Sequence, residues 1–576
     1  MVAGIFLFTF VPSSIPLRLL PMRKLRIISA NISLFIIGNI LLSACQDTYD
    51  LDDNVTHHYS IDFDATCRGE VIPNLVSNLN VWNMSGTFKN PSPNEEYNIF
   101  DFVEYVQLMT ATGGSQERDL FLNSEDKSTY EDYNFENLIE NCRGILSLGC
   151  KPHIKLGNVP SKFTKEYKTA AFGVNVYAPE DYEAYYNYIK AIVQALADTF
   201  GKEEVKRWHW GVLTEYENSD WFVGTDGTPE NAADEFCKLY DWTVQAVIDV
   251  LGEDIYIGAH SMTVTEGLWD EEIFIRHVAT GKNHCTGKVG TRISYLSTSF
   301  YDVEPGIPTS GKQLSECIGY LKTTAEKYGL NGLTYGVDEG RILYGEAGAT
   351  SRDLFSRTVG HTYMAAYDAR LYTHLLNSGG SYLSSWDYLS ESLFDGNPSI
   401  SYHVAKNFHA MAGMNRVPTI INASKSPQNT EVGALGGVDP QSGKMCIMVY
   451  NFGNSLTYAA KADMHLSIKT ESEKEEYKIS TFKVDDNCNW FDEWVDDRRN
   501  LGIENSMFKQ SPDDACGILH TLNNEWAKEQ YRSLISKYKR CSELVPETST
   551  MQSYSLGTLA FDVTLPPNTV WFIHVE

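Results

Sequence analysis

The sequence predicts an α/β fold, a (β/α)8 TIM barrel followed by an accessory C-terminal β-sandwich domain. Three observations predict it. A chain of 576 residues is too long for one compact domain. Between residues 99 and 415, short apolar runs alternate with amphipathic stretches, a pattern that lays strands parallel with helices between them. From residue 416 to 576 the texture changes to β-rich runs separated by turn residues, as in stacked antiparallel sheets.

The barrel elements follow in order. Candidate strands are Val103–Met109, Asp119–Leu122, Lys151–Leu156, Lys206–Leu213, Ile255–His260, Ile293–Phe300, Leu333–Val337 and Ser381–Trp386. Eight is the number that closes a β/α barrel. The clearest helix lies between the third and fourth: Pro179 stands in its first turn, and Tyr182, Tyr185, Ile189, Val193 and Leu196 recur at helical spacing as a core stripe. In the second domain Lys444–Tyr450, Leu466–Lys469, Tyr477–Lys483, Ser555–Val563 and Val570–Val575 read as strands, with a helical insertion near 512–544. The segment 57–98 precedes the barrel. Within it His57–Asp64 alternates in polarity and is expected to join the sandwich from the other end.

The first 44 residues read as a lipoprotein-type signal peptide. Arg23, Lys24 and Arg26 make a positive start, with Met22 a candidate initiator, and Ile27 to Leu42 form an apolar stretch interrupted by Asn31 and Asn39. Leu42-Ser-Ala-Cys45 resembles a bacterial lipobox, which makes Cys45 the lipidated residue and 45–56 a polar, acidic tether. The expectation is a lipoprotein of a Gram-negative cell envelope, held to the membrane by its lipid alone. The leader carries four basic side chains and no acidic one, which leaves 43 basic against 75 acidic in the rest. So acidic a chain argues against nucleic acid and polyanions as general partners. The cysteines after Cys45 form no metal-binding cluster. Cys142 and Cys150 are near enough in sequence to pair, but buried free thiols are the expected state. No structural metal and no cofactor are expected, and no feature sets an oligomeric state.

In a β/α barrel the chemistry is built where the strands end. Strand four ends in Thr214-Glu215-Tyr-Glu217 and strand seven in Asp338-Glu339-Gly340. These strands face each other across the barrel mouth, so the two carboxylates can flank one glycosidic bond. A retaining glycosidase needs such a pair roughly 5–5.5 Å apart. Glu217 and Asp338 are the rival assignments. Glu217 lies further out on its loop, and Asp338 points away from Glu339 by strand alternation. Gly113 and Gly114 allow either a close approach of substrate to backbone or a plain turn. His153, Lys155 and His209 lie on or near barrel strands, where an inward side chain can touch a sugar or complete the core; Lys155 would suit a carboxylated sugar.

The runs Asp132–Leu156 (DYNFENLIENCRGILSLGCKPHIKL) and Tyr182–Trp208 resemble stretches of glycoside hydrolase family 39, a family of clan A barrels that includes β-xylosidases and α-L-iduronidases: the first looks like its second helix and third strand, the second like the lead-in to strand four. Ser297–Tyr301 (STSFY) resembles its strand-six motif, Ser385-Trp386-Asp387 its strand-eight tryptophan, and Tyr477–Asp485 with Trp490 and Trp494 its sandwich signature.

The resemblance implies a retaining hydrolase acting on a polysaccharide or oligosaccharide. Glu215 would be the acid/base, because Val212-Leu-Thr-Glu-Tyr216 lies where the family has V-W-N-E-P, and Glu339 would be the nucleophile. Tyr301 matches a tyrosine beside the nucleophile, and Trp386 a platform under the sugar ring. Three neighbours depart from the pattern. Thr214 replaces the asparagine that contacts the sugar, Ser299 replaces a strand-six histidine, and Tyr216 replaces a proline. These changes argue against a standard xylosidase first subsite, and they motivate an alternative: a non-catalytic glycan-binding lipoprotein on a hydrolase-like barrel.

Overall fold

The computed structural model describes residues 56–81, 88–89, 91, 96–114, 119–170, 173–262, 267–304, 306–342, 362–384, 393–394, 396–423, 430–454, 458–471, 474–508, 518–553, 555 and 557–576. Eight parallel strands form the barrel sheet: Asn78–Val81, Tyr105–Leu108, Lys151–Leu156, His209–Val212, Tyr256–Ser261, Tyr295–Glu304, Thr334–Ile342 and Tyr382–Leu383. They pair in chain order, and the two edges come together to leave the barrel nearly closed. There the Leu383 N–H donates to the Leu75 carbonyl at 2.7 Å, and the Asn80 side-chain amide donates to the Asp338 carbonyl at 2.8 Å.

Two strand assignments are corrected. The first barrel strand is Asn78–Val81, so the barrel begins before residue 99 and the run near Val103 supplies the second strand. A four-residue strand with two asparagines carries too little apolar pattern to be read. Asp119–Leu122 is a loop with a single bridge, Phe121 to Tyr133. Its apolar look comes from Phe121, which is buried on the rings of Tyr133, Phe163 and Tyr188.

The helix before strand four spans Tyr182–Phe200 and buries Tyr185, Tyr188, Ile189, Ile192, Val193 and Leu196. Pro179 lies outside it. Asp181 is the cap, accepting from the N–H groups of Glu183 at 2.9 Å and Ala184 at 3.0 Å, so the helix starts later than the proline suggests.

The barrel interior is polar and aromatic. The Lys155 ammonium, wholly buried, pairs with the equally buried Asp338 carboxylate. Tyr382 donates to that carboxylate at 2.7 Å, and Lys155 donates to the Tyr295 hydroxyl at 3.3 Å. Burial works against the Asp338 charge, yet the Lys155 ammonium holds it well below the usual carboxylate range. Gly211 makes room for this cluster: a Cβ there would lie 2.5 Å from Lys155 Cδ and 2.7 Å from the Tyr295 hydroxyl.

The second domain stacks two sheets. One holds Thr419–Ala423, Thr56–Asp64, Lys461–Lys469 and Thr558–Leu565. The other holds Asn415–Val417, Thr430–Val438, Met445–Gly453, Thr569–Val575, Glu476–Val484 and Glu547–Gln552. Thr56–Asp64 runs parallel to Lys461–Lys469 and antiparallel to Thr419–Ala423. Ile61, Met464, Leu466, Ile447, Val449, Ile479 and Ile573 fill the core between the sheets. The helical insertion starts earlier than residue 512. Trp490–Leu501 is already a helix, with Asn489 as its cap, and it packs through Trp490 and Trp494 on Tyr531 and Tyr538 of Glu525–Cys541. Those tryptophans therefore build a separate small core and not the sandwich. Among the described residues all cysteines are free, and Cys142 and Cys150 are both buried.

Candidate active site

Strand four leaves the sheet through unusual backbone. Leu213 has φ 59° and Glu215 φ 45°, left-handed values that bulky side chains avoid. Strain of this kind, on the order of 1–3 kcal/mol per residue, persists only where the surroundings over-determine it. Here Gly157 lets strand three come close: a Cβ there would sit 2.7 Å from the Leu213 nitrogen. The kink turns Tyr216 into an aromatic nest, stacked on Phe236 at 4.2 Å, and leaves Glu215 within hydrogen-bond reach of Ser299 on strand six.

Strand seven reaches the same place by a register shift. Thr298 pairs with Val337, but Ser299 pairs with Glu339, so Asp338 is an extra residue in the ladder. The shift corrects the alternation argument. Asp338 contacts Lys155 and Tyr382 inside the barrel, while Glu339 is drawn to the level of Ser299 and Tyr301. The Tyr301 hydroxyl donates to Glu339 Oε1 at 2.8 Å.

Glu215 and Glu339 converge. A carboxylate oxygen of each lies within 4.8 Å of the other and of a His260 ring nitrogen. Glu215 is 5% exposed and Glu339 8%. Ser299 Oγ donates to Glu215 Oε1 at 2.7 Å, and the Trp221 indole N–H donates to Oε2. Behind Ser299, His260 Nε2 lies 2.8 Å from its hydroxyl, and His260 Nδ1 lies 2.6 Å from Thr214 Oγ1. Burial, and next the Glu339 charge, push the Glu215 carboxyl well above its usual range. Burial pushes His260 down to about 3, so its ring is neutral.

The profile of glycosyl hydrolases family 39 matches residues 117–423, more than half of the chain. The chain belongs to glycosyl hydrolases family 39. A β-xylosidase of Caldicellulosiruptor saccharolyticus is 27% identical over 191 residues, which cover 33% of this chain and 35% of that protein. The chain thus matches about a third of that relative's length. The family 39 enzyme of Xanthomonas axonopodis pv. citri superposes with a TM-score of 0.59 at 15% identity, covering 92% of this chain and 99% of its own. A monomeric β-xylosidase of Caulobacter crescentus CB15 gives 0.60 at 16%, covering 90% and 99%. At such identities these two likenesses establish the barrel-and-sandwich fold.

Within this family 39 chain the other candidate residues fall as follows. Glu217 sits behind the site, fully buried against Glu271, with the Met262 N–H donating to its carboxylate. Burial pushes both carboxyls up, Glu271 to about 7. Thr214 is beside Glu215, but its hydroxyl is committed to His260. His153 is a core residue and not a mouth residue: it is buried, 3.1 Å from the Tyr295 hydroxyl, because strand three turns it into the packed interior. Lys155 is likewise buried inside the barrel, its ammonium spent on Asp338. His209 is stacked between Tyr105 at 3.6 Å and Tyr256 at 4.0 Å. Gly113, at φ 88°, serves close backbone packing, since a Cβ would fall 2.7 Å from Asp119 Cα. Trp386 and Cys45 lie outside the described residues.

Sequence reasoning missed His260 and Trp221. His260 ends an apolar strand run, and Trp221 looked like one aromatic among many. Neither has a motif; His260 stands at the end of its strand and Trp221 in the loop after strand four, and that position on the mouth side is the one signal available. Among the described residues two clusters are spaced to share a cation. In Glu215–His260–Glu339 both His260 nitrogens are already hydrogen-bonded. In Asp241–His277–His284 the carboxylate already accepts from the Thr291 hydroxyl, the His284 backbone N–H and the His277 ring.

Proposed function

We propose that the chain is a retaining glycoside hydrolase, with Glu339 as nucleophile and Glu215 as acid/base. The observation that carries this reading is that an oxygen of each carboxylate lies within 4.8 Å of an oxygen of the other, which suits the roughly 5–5.5 Å of a retaining pair better than the roughly 6.5–9.5 Å by which an inverting pair admits a water. In the first step a Glu339 oxygen bonds to the anomeric carbon, the glycosidic C–O bond breaks, and Glu215 gives its proton to the leaving oxygen. In the second, Glu215 takes a proton from water, whose oxygen displaces Glu339 from the sugar. The raised Glu215 supports the first role. Once Glu339 is esterified its charge is gone and Glu215 becomes easier to ionise, which suits the second. Tyr301 steadies the Glu339 oxygen between turnovers.

The substrate class is a polysaccharide or oligosaccharide. Thr214 and Ser299, occupied with His260 and Glu215, favour a first subsite different from one built on an asparagine and a histidine. The lipobox at Cys45 supports a cell-envelope lipoprotein. The experiment is a panel of 4-nitrophenyl glycosides and plant or host polysaccharides, with product anomers followed by NMR. Azide should restore Glu215→Ala with retained product and Glu339→Ala with inverted product. Wild-type turnover in Glu339→Gln, or an inverted product from the parent enzyme, would refute the assignment. Glycan binding without release of reducing sugar would favour the non-catalytic alternative.

A further inference from the structure

We propose that His260 is a positioning residue for Glu215: together with Thr214 it fixes the Ser299 hydroxyl as a directed donor to Glu215 Oε1. The inference rests on the acid/base reading of Glu215 but is tested without a substrate.

Three neighbouring strands build the arrangement. Thr214 follows strand four, His260 lies near the end of strand five, and Ser299 is on strand six. The links are Thr214 Oγ1 to His260 Nδ1 at 2.6 Å, His260 Nε2 to Ser299 Oγ at 2.8 Å, and Ser299 Oγ to Glu215 Oε1 at 2.7 Å. Thr214 is 2% exposed, and His260 and Ser299 are 0%. No link is open to water, so each hydrogen must point along the chain or be lost.

The direction follows from counting hydrogens. A hydroxyl has one, and a neutral imidazole has one N–H and one bare nitrogen. When Glu215 is ionised its Oε1 can only accept, so Ser299 spends its hydrogen there. Ser299 Oγ must then accept from His260 Nε2–H. His260 Nδ1 is left bare and accepts from the Thr214 hydroxyl. The ionised carboxylate thus fixes the serine, the serine fixes the His260 tautomer, and Thr214 supplies the hydrogen that the bare Nδ1 accepts. An untethered serine could rotate its hydrogen elsewhere. While Glu215 is ionised, this one has no other orientation that satisfies ring and carboxylate together, so the donor is in place whenever Glu215 has given up its proton. The effect opposes burial and the Glu339 charge, which favour the protonated form.

Other titratable groups face the chain. Glu339 comes from strand seven, Asp220 and Glu217 from the loop after strand four, and Lys155, Asp338 and His153 from the interior. Their ionisations are removed by difference. Trp221 donates its indole N–H to Glu215, so its fluorescence reports that carboxyl. The measurement is a pH titration of tryptophan fluorescence in the full-length protein, minus the same titration of Glu215→Gln.

His260→Phe should raise the Glu215 midpoint by about one pH unit, a tenfold change in the ionisation constant. Ser299→Ala should raise it at least as much. The double variant should go no further than Ser299→Ala, because His260 acts through Ser299. His260→Gln, which keeps a donor near the Nε2 position, should restore most of the midpoint. Should His260→Phe not fold, the isosteric Thr214→Val decides: taking away the hydrogen that the bare Nδ1 accepts should raise the midpoint by about half a unit, a threefold change. An unmoved or lowered midpoint, or additive shifts in the double variant, overturns the inference. A parent enzyme that cleaves no glycoside overturns the hydrolase reading and leaves this titration standing.

Discussion

Replacing Glu339 by glutamine removes one negative charge from beside Glu215 and changes little else in size. The two carboxylates approach within 4.8 Å. At that distance unit charges interact by ~0.9 kcal/mol in water and ~3.5 kcal/mol at an effective dielectric of ~20. These energies correspond to ~0.6 and ~2.5 pH units. Both side chains are under a tenth exposed, which selects the upper half of that range, ~1.5–2.5 units. The sign is fixed: burial and the Glu339 charge both raise Glu215, so removing the charge lowers the midpoint and leaves the burial contribution in place. The assay is the Glu215-dependent step in tryptophan fluorescence, read through Trp221. A midpoint that stays put or rises in Glu339→Gln would refute the electrostatic coupling, and with it the idea that esterifying Glu339 converts Glu215 from acid to base.

Four further outcomes are expected. Lys155→Met should destabilise the protein by about 3–5 kcal/mol, because it strands the buried Asp338 charge, and Lys155→Met with Asp338→Asn should recover most of the loss; urea denaturation followed by near-ultraviolet circular dichroism checks both. Glu271, pushed up to about 7 from 4.5, binds a proton in the folded state that the unfolded chain has released. Stability should therefore fall as pH rises from 4.5 to 7, by about 3 kcal/mol at most, and Glu271→Gln should flatten that decline in thermal melts. Gly211→Ala should cost about 1–3 kcal/mol by overpacking the Lys155–Tyr295 contact, seen as a lower melting temperature. Tyr301→Phe should lower kcat by about one order of magnitude with little change in KM, through loss of the 2.8 Å bond to Glu339; steady-state kinetics on a cleaved aryl glycoside decides it.

The central barrel strands were legible because both their faces are buried, which writes them as plain apolar runs. Strands three to seven were found on that signal. Of the two edges the first was not: Asn78–Val81 is short and half asparagine, whereas the run expected at Ser381–Trp386 holds the last described strand, Tyr382–Leu383. The ends of strands four and seven were readable as sites because a carboxylate stops each run. How they meet was not readable. It depends on left-handed backbone at Leu213 and Glu215 and on the extra residue Asp338, features of three-dimensional fit with no compositional trace. His153 and Lys155 show the opposite failure. Polar residues on a barrel strand invite a functional reading, yet here they satisfy one another and Tyr295 in the interior. His260 was passed over for the same reason in reverse, since a histidine closing an apolar run looks like packing until its two partners on neighbouring strands are known.

The strand Thr56–Asp64 has a consequence for how the chain is made. It leaves the ribosome ahead of every other described element, yet its parallel partner places Lys461 opposite Thr56. The sheet it belongs to stays unfinished until the whole barrel has been synthesised, so folding of this sheet cannot proceed domain by domain from the front. Loss of those nine residues would leave the barrel untouched in sequence. It would instead bare the flanks of Thr419–Ala423 and Lys461–Lys469 to strands of other molecules. The first defect expected of such a truncation is aggregation rather than inactivity.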